Sequence, residues 1–84
     1  MTYRLEISET AQKQMRRVPE NMLRLITQRI SALKDNPRPQ GAKKLVAKPG
    51  WRIRVGDYRV IYLIDDDRLL VNVAAVKPRQ SAYD

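Results

Sequence analysis

The chain contains neither cysteine nor histidine. Without cysteine, a disulfide framework and a thiolate metal site are both excluded. Without histidine, the usual general base, the commonest metal ligand and every Ser-His or Cys-His arrangement are missing. No apolar run reaches the length of a signal peptide or membrane helix, so the expected location is the cytoplasm. Eighty-four residues suit one domain, 1–84, near the small end of what folds without cross-links. Acidic side chains are scarce too: nine Asp plus Glu stand against seventeen Lys plus Arg, for a net charge of +8 and a pI near 10.3. A surplus of that size on so small a body points to a polyanionic or acidic partner, with nucleic acid leading and an acidic protein compatible. The basic residues are spread over several elements rather than along one amphipathic helix, which disfavours a membrane surface.

Residues 2–7 place Tyr3, Leu5 and Ile7 on alternate positions, the pattern of a half-buried strand. Ser8 can cap a following helix, with Glu9 in its first turn. Ala11, Met15 and Val18 then form a stripe at helical spacing, with Lys13, Arg16 and Arg17 solvated, and Pro19 breaks the helix. A second helix is predicted from Glu20 to Lys34, with Leu23, Ile26, Ile30 and Leu33 inward and Arg24, Gln28 and Arg29 outward. Such a short corner implies an antiparallel helical pair. Asn36, Pro37, Pro39 and Gly41 make a loop, and Ala42 to Val46 is a short strand or an extended lead-in.

The segment from Trp51 to Tyr62, WRIRVGDYRVIY, reads as two strands around a two-residue turn at Gly56-Asp57. Glycine at the first central position suits a type II′ turn. That turn sets Val55 opposite Tyr58, Arg54 opposite Arg59 and Arg52 opposite Ile61. Trp51, Ile53, Val60 and Tyr62 then face the helices, and Arg52, Arg54 and Arg59 share the other face. Like charges opposed on a ladder cost folding energy; a solvated face and a polyanion site both fit the pattern. Asp65-Asp66-Asp67 reads as a turn more readily than as a metal site, since adjacent carboxylates without further ligands bind weakly. Arg68 to Val76 is apolar on both faces, as in a sheet interior, and Pro78 is expected to stop it. The whole is an α+β domain: a strand, a two-helix hairpin, then three to four antiparallel strands of one twisted sheet.

WRIRVGDYRVIYLIDDD, preceded by KKL and followed by a strand and an Arg-x-x-x-Tyr tail, resembles the RelE/ParE superfamily of bacterial toxins over nearly the whole chain. The resemblance implies a type II toxin. In the RelE branch that is a ribosome-dependent messenger-RNA endonuclease; in the ParE branch it is a DNA gyrase poison. On the RelE pattern, Arg52 and Arg54 match two basic positions before the turn, and Arg59 matches the residue that grips the scissile phosphate. Arg79 matches the proton donor to the leaving group, and Tyr83 the tyrosine that stacks on a base or orients the hydroxyl. Lys44 matches a basic position before the hairpin, and Lys43, Lys48 and Lys77 are taken with it as RNA- or ribosome-binding. No metal and no cofactor are expected. The implied partners are an acidic RelB-like antitoxin, the ribosome and messenger RNA, with operator DNA reached through the antitoxin. Two departures stand out: Lys77-Pro78 replaces a frequent Gly-His, and both strand positions are Arg where Lys is common. A guanidinium holds its proton too tightly to serve readily as a base. The arginine triad with both tail residues favours the RelE branch, so a ribosome-dependent endonuclease is the leading reading and a ParE-type gyrase poison the alternative; a plain nucleic-acid-binding module using the basic sheet is the third.

Overall fold

The computed structural model describes residues 2–79. The elements are β1 (Arg4–Ile7), α1 (Glu9–Met15), α2 (Glu20–Ala32), β2 (Lys43–Lys44), β3 (Trp51–Val55), β4 (Tyr58–Asp65) and β5 (Leu70–Pro78). They build one five-stranded sheet in the order β1-β5-β4-β3-β2. The four later strands are antiparallel neighbours, whereas β1 runs parallel to β5, with Leu5 beside Val71 and Ile7 beside Val73. The sheet is therefore mixed. None of the described helices is long and apolar enough to cross a membrane.

Local chemistry explains the boundaries. Ser8 caps α1, its hydroxyl oxygen accepting the Ala11 N–H at 3.1 Å. α1 ends at Met15, earlier than its apolar stripe, because a tighter turn with Val18 N–H on the Met15 carbonyl leads into Pro19. Pro19 stands at the N-cap of α2, where a missing N–H costs nothing. Leu33 and Lys34 close α2 with three-residue hydrogen bonds instead of continuing it.

The core lies between the helices and one sheet face. Ile26, Ile30 and Leu33 of the α2 region pack with Ile53, Val55, Val60 and Tyr62, as the two periodicities require. Gly56 takes φ 58°, and Asp57 is not left-handed, the combination of a type II′ turn. A Cβ there would meet Met22 Cε at 2.6 Å, a contact that the end of that flexible side chain can relieve by shifting, so it is the positive φ that demands glycine.

Two features of β5 correct the sequence reading. The strand starts at Leu70 and does not stop before Pro78, which pairs with Tyr58. Val76, two residues earlier on the same edge, sends its N–H to Gln14 rather than to a strand. The nitrogen of Pro78 faces that same open edge, so no ladder bond is lost. Between Ile61 and Tyr62 the register slips, Ile61 pairing Ala75 and Tyr62 pairing Val73. The extra residue, Ala74, is a β-bulge. It returns Val76 to the face that already holds Val71 and Val73, and all three are at most 1% exposed.

Candidate nucleic-acid interface

Partners across an antiparallel ladder share a sheet face, so the register builds the site directly. Lys77, Arg59 and Arg54 form one row across β5, β4 and β3. The next row is Ala75, Ile61, Arg52 and Lys43, across β5, β4, β3 and β2. Neighbouring strands stand about 4.8 Å apart, so five cations gather on one end of the face turned away from the helices. The far end of that face is different: Asn72 pairs Glu6 and Leu63, and Leu70 pairs Arg4 and Asp65. The positive charge is thus concentrated at the turn end of the hairpin.

The cations are graded in exposure. Arg54 and Lys43 are exposed, whereas Arg52, Arg59 and Lys77 are half-buried. The ion pairs found among the described residues are Lys13–Glu9, Arg38–Asp66 and Arg68–Asp65, and none of them includes Arg52 or Arg54. Guanidiniums so placed present forked donors that match phosphate oxygens.

The remaining site residues divide. Arg79 joins the cationic end: its N–H donates to the Asp57 carbonyl at 2.6 Å, tying the end of β5 to the hairpin turn. Lys44 pairs with Trp51 and so belongs to the opposite face from Arg52. Lys48 lies in the exposed loop 46–49, outside the ladder. Tyr83 lies outside the described residues.

Two groups escaped the sequence reading. One is Gln14, whose side-chain oxygen accepts the Val76 N–H at 2.6 Å; only the early end of β1 creates that need. The other is a clasp at the opposite end of the sheet. Arg38 donates twice to Asp66, at 2.8 and 3.3 Å, and the Tyr3 hydroxyl donates to the same carboxylate at 2.6 Å. Arg38 also lies 5.3 Å from the centroid of the Trp51 ring. Hydrogen bonds from Arg38 and then Tyr3 hold the Asp66 carboxyl below its ordinary range. The same contact pushes the Tyr3 phenol up. Asp65 accepts the Arg68 N–H at 3.0 Å, so two of the three aspartates serve the turn and the clasp. Nearby, buried Tyr62 donates to the Pro37 carbonyl at 2.7 Å, and burial pushes its phenol up to about 12.

Comparison with known proteins bears on the chain as a whole. A family model described as the ParE toxin of the type II toxin-antitoxin system, parDE, matches residues 5–83. RelE1 of Methanocaldococcus jannaschii is 28% identical over 88 residues, covering 99% of this chain and 97% of that protein. The archaeal RelE–RelB complex from Pyrococcus horikoshii OT3 superposes with a TM-score of 0.85 at 30% identity, covering 98% of this chain and all (100%) of the other. The RelBE2 toxin-antitoxin complex of Mycobacterium tuberculosis gives 0.83 at 24% identity, covering 94% and 100%.

Proposed function

Since the chain belongs to the ParE toxin family of type II toxin-antitoxin systems, within the RelE/ParE superfamily, we propose that it acts as a ribosome-dependent messenger-RNA endonuclease. The observation that carries this reading is the cross-strand row Lys77–Arg59–Arg54, backed by Arg52 and Lys43. RNA brings its own nucleophile, so the protein need only align a 2′-OH and stabilise the charge growing on phosphorus. The 2′ oxygen attacks phosphorus and the bond to the 5′ oxygen breaks. The products are a 2′,3′-cyclic phosphate and a 5′-OH, which takes up the proton. Arg59 grips the phosphate in this scheme, with Arg52 and Arg54 beside it. Arg79 approaches the leaving group, and Tyr83 serves as a stacking platform. Alignment by the ribosome explains a site without a histidine.

The superposed Pyrococcus and Mycobacterium structures are complexes of toxin with antitoxin. By the same logic this chain takes a RelB-like acidic antitoxin in the cytoplasm, across its cationic face, and reaches operator DNA through it. A second reading, a gyrase poison without chemistry of its own, draws on the ParE description of the matching family. One experiment separates them: cleavage mapping on stalled ribosomes beside a gyrase supercoiling assay. Cut message with unaffected gyrase is expected. Intact message with inhibited gyrase would overturn the nuclease reading and establish the other.

A further inference from the structure

β1 ends at Ile7 and the chain turns away into α1, while β5 continues to Pro78. The last stretch of β5 has therefore lost its strand neighbour on one side, and α1 stands in for it. Ser8, the N-cap, donates its N–H to the Val73 carbonyl at 2.9 Å and its hydroxyl to the Ala74 carbonyl at 3.0 Å. Past the bulge, Val76 turns its backbone groups outward. Backbone groups alternate along a strand, so Ala75 and Lys77 turn theirs toward Ile61 and Arg59 of β4. Pro78 has no N–H. The donor left on this part of the edge is Val76, which is 1% exposed, and the Gln14 side-chain oxygen accepts it at 2.6 Å.

The strand end held by this bond supplies two cations of the site. Lys77 pairs with Arg59 in the cation row, and the Arg79 N–H donates to the Asp57 carbonyl at 2.6 Å. β4 and its turn thus fix residues 77–79 from one flank, and Gln14 fixes Val76 from the other. A strand end held from one flank opens locally far more often than an interior one, and each opening would carry Lys77 and Arg79 with it. Placement matters here more than in most sites. With no histidine in the chain, the site works by fixed charge, and a misplacement of about 1 Å can cost roughly 10²-fold in rate. We propose that Gln14 is a positioning residue for RNA cleavage: by capping the Val76 N–H it holds the end of β5, and with it Lys77 and Arg79, against the phosphate-binding row. Its part in cleavage rests on the nuclease reading, whereas the clamp on β5 stands on geometry alone.

Substitutions at position 14 test it. Gln14→Leu keeps the bulk and removes the acceptor, and Gln14→Glu keeps an acceptor oxygen. Ile30→Val is the stability control, since Ile30 is buried in α2 and its trimming leaves the Val76 hydrogen bond in place. Rates are compared at a temperature where every protein is folded. In single-turnover cleavage on programmed ribosomes, Gln14→Leu should lower the maximal rate by roughly 10- to 100-fold. The half-saturating toxin concentration should stay unchanged, the mark of an interaction used in the transition state. Gln14→Glu and Ile30→Val should both cut near the wild-type rate. By NMR of the full chain, the Val76 amide should exchange roughly 5- to 150-fold faster in Gln14→Leu, the range expected when a buried donor loses its partner. It should remain protected in Gln14→Glu. Should Gln14→Leu not fold, Gln14→Asn, whose arm is shorter by one methylene, replaces it in every comparison. A rate loss no larger than that of Ile30→Val, or no rescue by Gln14→Glu, would overturn the proposal. So would unchanged Val76 exchange, since another group would then hold β5. Wild type that leaves message intact would sink the nuclease reading and the positioning role with it. Active wild type beside an equally active Gln14→Leu would sink the positioning role alone.

Discussion

Arginines meet opposite fates at the two ends of this sheet. Arg38 shares a carboxylate with Tyr3 and lies over Trp51, tying together the chain before β1, the loop after α2, the β4–β5 turn and the start of β3. Arg54 faces Arg59, and Arg52 faces Lys43, with no ion pair to either Arg52 or Arg54 among the described residues. The first arrangement spends charge on closing the fold. The second holds charge against its own repulsion, and a cross-strand like-charge pair costs on the order of 0.2–1 kcal/mol. Proteins keep such strain where a ligand relieves it, and here an RNA phosphate or an acidic antitoxin would do so.

The largest effect should come from breaking the strained end. Arg59→Ala is expected to remove a phosphate contact made in the transition state, costing on the order of 2–4 kcal/mol, or roughly 10²–10³ in cleavage rate on the ribosome. Cleavage within a few-fold of wild type would rule out Arg59 as the phosphate grip.

Next comes the closed end. Tyr62→Phe removes the donor to Pro37, a buried residue, at a cost of about 1–3 kcal/mol if the carbonyl is left dry. Chemical denaturation should show the loss, with catalysis on folded protein unchanged. A further signature lies in alkali. Because the phenol is pushed up to about 12 by burial, the unfolded chain ionises first as pH rises past about 10. Wild type should lose stability progressively from there towards the folded value, a loss that the phenylalanine variant lacks.

These two regions differ in how far the sequence discloses them. The cationic row was legible because a two-residue turn with glycine first fixes register, and register fixes faces. Arg54, Arg59 and Arg52 follow from Gly56-Asp57 alone, and the helix stripes say which face is covered. The face that Lys44 takes was not legible, because it depends on pairing with β3, and two residues carry too little pattern to show that. The β5 bulge was hidden because LLVNVAAV is apolar at nearly every position, so a one-residue slip leaves no trace in hydropathy. Arg38, Asp66 and Gln14 were not legible, since each meets a partner at least 28 residues away across a loop or an edge. Nothing local in the sequence distinguishes them from solvated polar residues.

A smaller effect sharpens the contrast. Arg54→Gln should raise stability by about 0.2–1 kcal/mol at low salt by removing one of two opposed guanidiniums. The gain should shrink in 1 M salt, where the Debye length falls to about 3 Å. Ribosomal cleavage should fall at the same time, since a phosphate donor is lost. A destabilised Arg54→Gln protein would show that the row is not strained, and the comparison between the two ends would fail.

The smallest expected effect is at the clasp itself, because Arg38 and Asp66 are both largely exposed and exposed ion pairs contribute little. Its sign is nevertheless fixed. The folded state holds the Asp66 carboxyl below its ordinary value, chiefly through Arg38 and then Tyr3. A depressed carboxyl contributes stability that is present above the unfolded value, about 3.9, and is lost as pH falls through the folded one. Asp66→Asn should therefore melt below wild type at neutral pH, and the gap should close on acidification below about pH 4. Salt should narrow the gap at neutral pH, whereas the same salt should relieve the repulsion at the other end of the sheet. Melting curves of wild type, Asp66→Asn and Arg54→Gln across pH and ionic strength carry both tests at once. A gap that widens in acid would mean that Asp66 is not held as a carboxylate by Arg38 and Tyr3.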